Sequence, residues 1–159
     1  MTDTPVESPV SPYLTVAGGK AALDFYARAF GAQELSRQEA PDGDKLFHAA
    51  FVVNGGIVML SDDFPEMNGG VSGDPKSAGL TTVTIHLTVP DDAIEGAWQR
   101  AVGAGATVVM PLDDAFWGSK YGVLEDPFGH RWSFGTPQRP VSEEELRRGM
   151  EDSIEMHKQ

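Results

Sequence analysis

Cysteine is missing from the whole chain, which rules out a disulfide framework, a thiolate zinc site and a cysteine nucleophile. No apolar run approaches the roughly 20 residues that cross a bilayer. The opening MTDTPVESPV has neither a basic stretch nor an apolar one, so no secretory leader is expected and the chain reads as cytoplasmic. Positive charge is scarce as well: 12 Lys and Arg stand against 24 Asp and Glu, for a net charge of −12. That balance repels phosphate backbones and anionic lipid, and it argues against nucleic acid or membrane as partners. What the 159 residues do hold, 40% of them hydrophobic, suits one folded domain or two small halves sharing a core.

The strongest positive signal is internal duplication. Leu14-Thr15-Val16 returns as Leu87-Thr88-Val89, about 73 residues later. After the first copy, Ala22, Phe25, Tyr26, Ala29 and Phe30 are spaced as one face of a helix. Ile94, Ala97, Trp98, Ala101 and Val102 repeat that face after the second. Arg28-Ala29 matches Arg100-Ala101, and Gly31-Ala32 matches Gly103-Ala104, where glycine is expected to end each helix. Asp91 and Asp92 are expected to open the second helix.

Strand-like segments follow each helix: 33–39, 45–53 and 56–61 in the first half, and 106–110, 119–125 and 130–134 in the second. Asn54-Gly55 predicts a tight type I′ hairpin, and Asp126-Pro127-Phe128-Gly129 a turn with glycine in the left-handed position. The stretch 62–79 is rich in Gly, Pro and Asp without periodicity and reads as a mobile linker. Ser142 and Glu145 form a capping-box pattern, ahead of a charged helix with a Leu146, Met150, Ile154 stripe. The expected fold class is α+β: two βαβββ repeat units forming curved mixed sheets around a central cavity, plus a C-terminal helix. The domain spans 8–137, with unit one at 9–62, the linker at 63–79 and unit two at 80–136; 138–159 is a helical extension.

Strand alternation assigns faces. Val83, Ile85, Leu87 and Val89 should be buried, with Thr82, Thr84, His86 and Thr88 opposite them. The first hairpin pairs Ala50 with Met59 and His48 with Ser61. A glycine bulge in the second sets Glu125 against Arg131, Val123 against Ser133, and Leu124 against Trp132. One concave face should therefore collect Ser11, Tyr13, Thr15, His48, Met59, Thr84, His86, Glu125, Arg131 and Ser133. Phe116, Trp117 and Tyr121 supply aromatics at its rim. A mostly neutral cavity with a few polar groups is the usual form of a small-molecule site.

Several tetrapeptides then carry a resemblance. Ser11-Pro12-Tyr13-Leu14, Leu23-Asp24-Phe25-Tyr26 with Phe30-Gly31-Ala32, Met59-Leu60-Ser61-Asp62, Phe116-Trp117-Gly118 and Asp126-Pro127-Phe128-Gly129 resemble, in order, the PhnB-like group of the vicinal-oxygen-chelate superfamily. That superfamily includes glyoxalase I, extradiol dioxygenases and bleomycin-resistance proteins. The resemblance implies a divalent ion held by four residues, two from each unit. Carried across, those places fall on Ser11, Met59, Thr84 and Ser133, a donor set that suits no divalent ion well. No cofactor is therefore expected, and the leading expectation is a PhnB-like homodimer binding a small organic molecule without metal.

Two alternatives stand beside it. One is a glyoxalase-type lyase or isomerase, using His48 or His86 as acid–base or a substitute metal site of His48, His86 and Glu125. The other is a sequestering protein of bleomycin-resistance type for a cationic drug, which the acidic surface would favour. Gly103-Ala104-Gly105 follows a helix and precedes a strand, the reverse of a dinucleotide fingerprint. No strand–glycine loop–helix unit is expected for a methyl-donor nucleotide, and no motif supports a serine triad. His130 and His157 receive no role.

Overall fold

A computed structural model describes residues 8–158. Most of the opening stretch read for a leader, together with Gln159, lies outside the described residues. Unit one runs β1 (Tyr13–Val16), α1 (Gly19–Phe30), β2 (Gln33–Glu39), β3 (Leu46–Val53) and β4 (Gly56–Asp62). A 3₁₀ turn (Pro65–Met67) and a short helix α2 (Pro75–Ala78) lead into unit two: β5 (Thr84–Thr88), α3 (Ile94–Ala104), β6 (Thr107–Asp114), β7 (Lys120–Glu125) and β8 (Arg131–Gly135). Helix α4 (Glu143–Met156) follows. The two four-stranded sheets have matching orders, β1-β4-β3-β2 and β5-β8-β7-β6, each with one parallel pair at its first edge. The duplication predicted from the sequence is present as structure.

Both sheets turn their apolar faces onto one core. Tyr26 of α1 lies 5.2 Å from the Phe51 ring on the first sheet and 5.3 Å from Trp132 on the second. Phe30 meets Trp132 at 4.5 Å, and Trp98 of α3 packs edge-on to Phe134. Polar pins cross the same junction. The Tyr26 hydroxyl donates to Asp126 at 2.6 Å. Arg28 donates to the Ala104 carbonyl at the end of α3, while Arg100 donates to the Ala27 and Arg28 carbonyls at the end of α1. Each helix thus has its unsatisfied terminal carbonyls met by the other's arginine, a favourable placement for a cation at a helix C-terminus.

The predicted hairpins have the expected geometry. Asn54 and Gly55 both have positive φ, 51° and 81°, as a type I′ turn requires. Gly129 has φ 90°, its N–H bonds the Asp126 carbonyl, and Glu125, Leu124 and Val123 pair with Arg131, Trp132 and Ser133.

Several expectations need correction. Val83 is 65% exposed, because β5 begins only at Thr84 and alternation does not extend ahead of it. Helix α3 starts at Ile94 and has no side-chain cap from Asp91 or Asp92; it passes through Gly103 and ends at Gly105, whose φ is 120°. The 62–79 stretch is built rather than featureless: Asp74 is buried, caps Ser77, and precedes a buried Pro75. In α4 the capping box is present, but Met150 and Ile154 are exposed while Leu146, Gly149 and Ser153 turn toward the body. A strand–glycine loop–helix does occur, from β1 through Gly18 and Gly19 into α1. Its N–H groups are already taken: the buried Asp62 carboxylate accepts from Gly18, Gly19 and Leu46 at 2.7–3.1 Å. An internal carboxylate therefore fills the place where a phosphate would dock.

Candidate functional site

The duplication carries a chemical pattern on the faces turned away from the core. In the first sheet Tyr13 sits beside Met59, and Met59 beside Ala50. In the second, His86 sits beside Ser133, and Ser133 beside Val123. Two residues before Ala50 comes His48, and two before Val123 comes Tyr121. Each sheet thus presents a Tyr–His pair at equivalent places, with the two residue types exchanged. The Tyr13 hydroxyl and His48 Nδ1 share a hydrogen bond of 2.7 Å, their rings 5.5 Å apart. His86 and Tyr121 stack at 6.1 Å with planes inclined by 22°.

The second pair is the more firmly held. His86 Nδ1 shares a 2.8 Å hydrogen bond with the hydroxyl of Ser133, which is buried. The imidazole lies across Gly135: a Cβ there would stand 2.7 Å from His86 Cε1. A side chain at 135 would thus have to displace the His86 ring from where it lies. Trp117 meets Tyr121 edge-on at 5.3 Å and Phe116 meets Trp117 edge-on at 5.0 Å, which extends the face into an aromatic rim. Arg131 and Glu125 form an ion pair at 3.7 Å beside it. Thr84 is exposed at the Arg131 end of the same face.

On the first sheet, Tyr13 and residues of the 62–79 segment line an open cleft of about 330 Å³. Its walls include Thr15, Phe47, Asp63, Phe64 and Met67. Partial burial raises the Tyr13 phenol above its ordinary pKa. Phe47, Phe64 and Met67 were missed by the sequence reading. Phe47 escaped because strict alternation puts it with the core, whereas β3 carries an extra residue opposite Gln38 and Glu39. That bulge exposes Phe47 and leaves His48 half-buried, while Leu46 and Ala49 on either side are buried. Phe64 and Met67 lie in the stretch that has no periodicity to read. His130, given no role, bonds the Thr15 carbonyl through Nε2 at 2.8 Å and ties the second hairpin to β1.

The predicted face is therefore delivered in two parts. Tyr13, His48 and Met59 lie on the first sheet, with half-buried Ser11 just ahead of β1. Thr84, His86, Tyr121, Glu125, Arg131 and Ser133 lie on the second. The two groups thus lie on different sheets of one shared core, and a single cleft at their border is lined by Tyr13 from the first and Arg131 from the second. No group of three or more His, Asp or Glu stands close enough to hold a metal among the described residues. His48 is on the other sheet from His86 and Glu125, so the imagined substitute site is not assembled within the chain.

The family model described as Glyoxalase/Bleomycin resistance protein/Dioxygenase superfamily matches residues 10–134. The uncharacterized protein Rv0887c of Mycobacterium tuberculosis is 53% identical over 145 residues, covering 91% of this chain and 84% of its own. Among solved structures, TioX from Micromonospora sp. ML1 is 27% identical with a TM-score of 0.61, covering 85% of this chain and 100% of its own. A Bacillus cereus PhnB protein, titled a putative 3-demethylubiquinone-9 3-methyltransferase, shares the fold at 20% identity and a TM-score of 0.63, covering 82% of this chain and 100% of its own.

Proposed function

This chain belongs to the Glyoxalase/Bleomycin resistance protein/Dioxygenase superfamily, and from that premise we propose that it binds a small organic molecule between its polar sheet faces without a divalent ion. The observation that carries the reading is the pair of Tyr–His faces at equivalent places in the two units. By the family resemblance, the four places of a divalent ion's ligands fall on Ser11, Met59, Thr84 and Ser133. A thioether and three neutral hydroxyls are a poor set for zinc, iron or manganese. Ser133 is moreover committed to His86.

The same reading makes the protein a homodimer. Among the described residues, sheet edges β1 and β5 have no outer strand, and open edges invite pairing with another chain. Met67, Leu80 and Val83, which line the clefts bordering the two faces, are 64–68% exposed. A second copy setting its second sheet opposite the first would cover them and close a cavity with one Tyr–His pair on each wall. The Tyr13–His48 hydrogen bond also favours an acid–base reading, in which the pair moves a proton on a bound carbonyl compound.

The test is calorimetry on chelator-treated protein, with bleomycin as a cationic glycopeptide probe and S-hexylglutathione as an anionic thiol-conjugate probe, alongside light scattering. Binding of either probe by metal-free dimer is expected. Binding that appears only on adding a divalent ion, or a concentration-independent monomer, would overturn the reading.

A further inference from the structure

Helix α4 lies beyond the matched family region, which ends at residue 134. Its sequence breaks a local rule: Gly149 sits in mid-helix, where glycine is the weakest choice short of proline. The structure supplies the reason. The Gly149 backbone rests against Phe116, and a Cβ added there would run into the Cβ and ring of Phe116. Phe116 belongs to the turn between β6 and β7 and meets Trp117 edge-on; Trp117 meets Tyr121, and Tyr121 stacks on His86. A second close approach fixes the turn from the other side, where the Gly118 carbonyl accepts from the Arg139 N–H at 2.8 Å and Gly118 lies under Val141. The α4 N-terminus is held by its own capping box of Ser142 and Glu145, so the helix is a preformed lever and not a loose tail.

We propose that α4 is a positioning element for the second polar face: Gly149 seats Phe116, and through Phe116 and Trp117 it fixes the Tyr121 ring against His86. The inference rests on the reading of that face as ligand-binding. It makes the C-terminal extension part of what sets the shape of the site. The remaining contacts of α4 are few; Met150 and Ile154 stay exposed, so the Phe116 seat is its principal purchase on the body. Contiguity alone does not establish coupling between two places, and the coupling is directly measurable.

The experiment uses full-length protein labelled with 5-fluorotryptophan, free of any ligand. Its three tryptophans give three fluorine resonances, of which Trp98 and Trp132 are buried in the core and act as internal references. Gly149→Ala and Gly149→Leu are compared with Gly103→Ala, the same change in α3 where an added Cβ meets nothing within 4 Å. Both Gly149 variants should move the Trp117 resonance and the His86 Hε1 proton signal, which lies in the ring-current field of Tyr121. The Trp98 and Trp132 signals and the main thermal transition should stay in place, and Gly103→Ala should move nothing. Unchanged Trp117 and His86 signals in Gly149→Leu would overturn the proposal. So would a change at Trp117 that stops short of His86, or collapse of the whole fold, which would make α4 part of the core. Because no ligand is present, failure here leaves the calorimetric test of the binding reading independent.

Discussion

Replacing Tyr26 by Phe removes one oxygen from the junction between the units and leaves the ring that Phe51 and Trp132 pack against. That oxygen donates to Asp126 Oδ2 at 2.6 Å. The same carboxylate is held by Trp132 Nε1 at 2.9 Å and by the N–H groups of Phe128 and His130 at 2.9 and 3.0 Å. With three donors left, Asp126 remains paired, and the loss is that of one hydrogen bond to a charged acceptor, about 1.5–3 kcal/mol. The phenol also titrates. Burial, then the charge of Asp126 and the hydrogen bond to it, push Tyr26 well above the ordinary range. The folded state keeps a proton that the unfolded chain releases near pH 10. This contribution is fully present below pH 10 and is lost as pH rises past it. Above pH 10 the parent therefore loses stability from this group, and Tyr26→Phe loses none. Urea denaturation of both proteins at pH 7, 9 and 11 reads the difference directly, since Tyr13 and Tyr121 are common to both and cancel. A gap of about 1.5–3 kcal/mol at pH 7 should narrow measurably at pH 11. A constant gap, or a neutral substitution at pH 7, would refute the account of this junction.

Three further outcomes are expected. Ile85→Ala should cost about 2 kcal/mol, the low end for truncating an aliphatic side chain because Ile85 is only half-buried, while the exposed neighbour Thr84→Val should leave denaturation nearly unchanged; reversed costs would mean the faces of β5 are swapped. Gly135→Ala should displace the His86 ring, seen as a lost His86–Tyr121 Overhauser contact with the fold retained, and an undisturbed contact would deny the close approach. Protein purified without added metal should carry less than about one tenth of an equivalent of zinc, iron, nickel or manganese by mass spectrometry, because the family positions offer hydroxyls and a thioether. Stoichiometric metal whose removal lowers stability would contradict this.

Repetition and alternation made much of the fold legible. Two copies of Leu-Thr-Val followed by matched helical faces gave the paired units, and Asn54-Gly55 and Asp126–Gly129 gave the registers of both hairpins. What failed did so where a physical rule operates locally. Alternation cannot foresee the bulge that turns Phe47 outward, nor that Val83 lies ahead of its strand. The 62–79 stretch lacked a period because its order comes from Asp74, Pro75 and Asp63 making specific contacts, not from an amphipathic face. Residue types singled out the polar groups of the two sheet faces. Their division between two sheets was hidden, since a face assignment says which side of a sheet a residue occupies and nothing about what that side confronts.

The exchange of residue types between the two Tyr–His pairs has a consequence for any molecule held between them. Duplication by itself yields two walls of like chemistry, and a ligand lying between such walls could turn end for end at no cost. Here one wall offers a phenol on the edge strand and an imidazole further in, and the other offers the reverse, with Met59 backing the first and the Ser133 hydroxyl the second. In the proposed dimer, that exchange would give the space between the two walls a head and a tail.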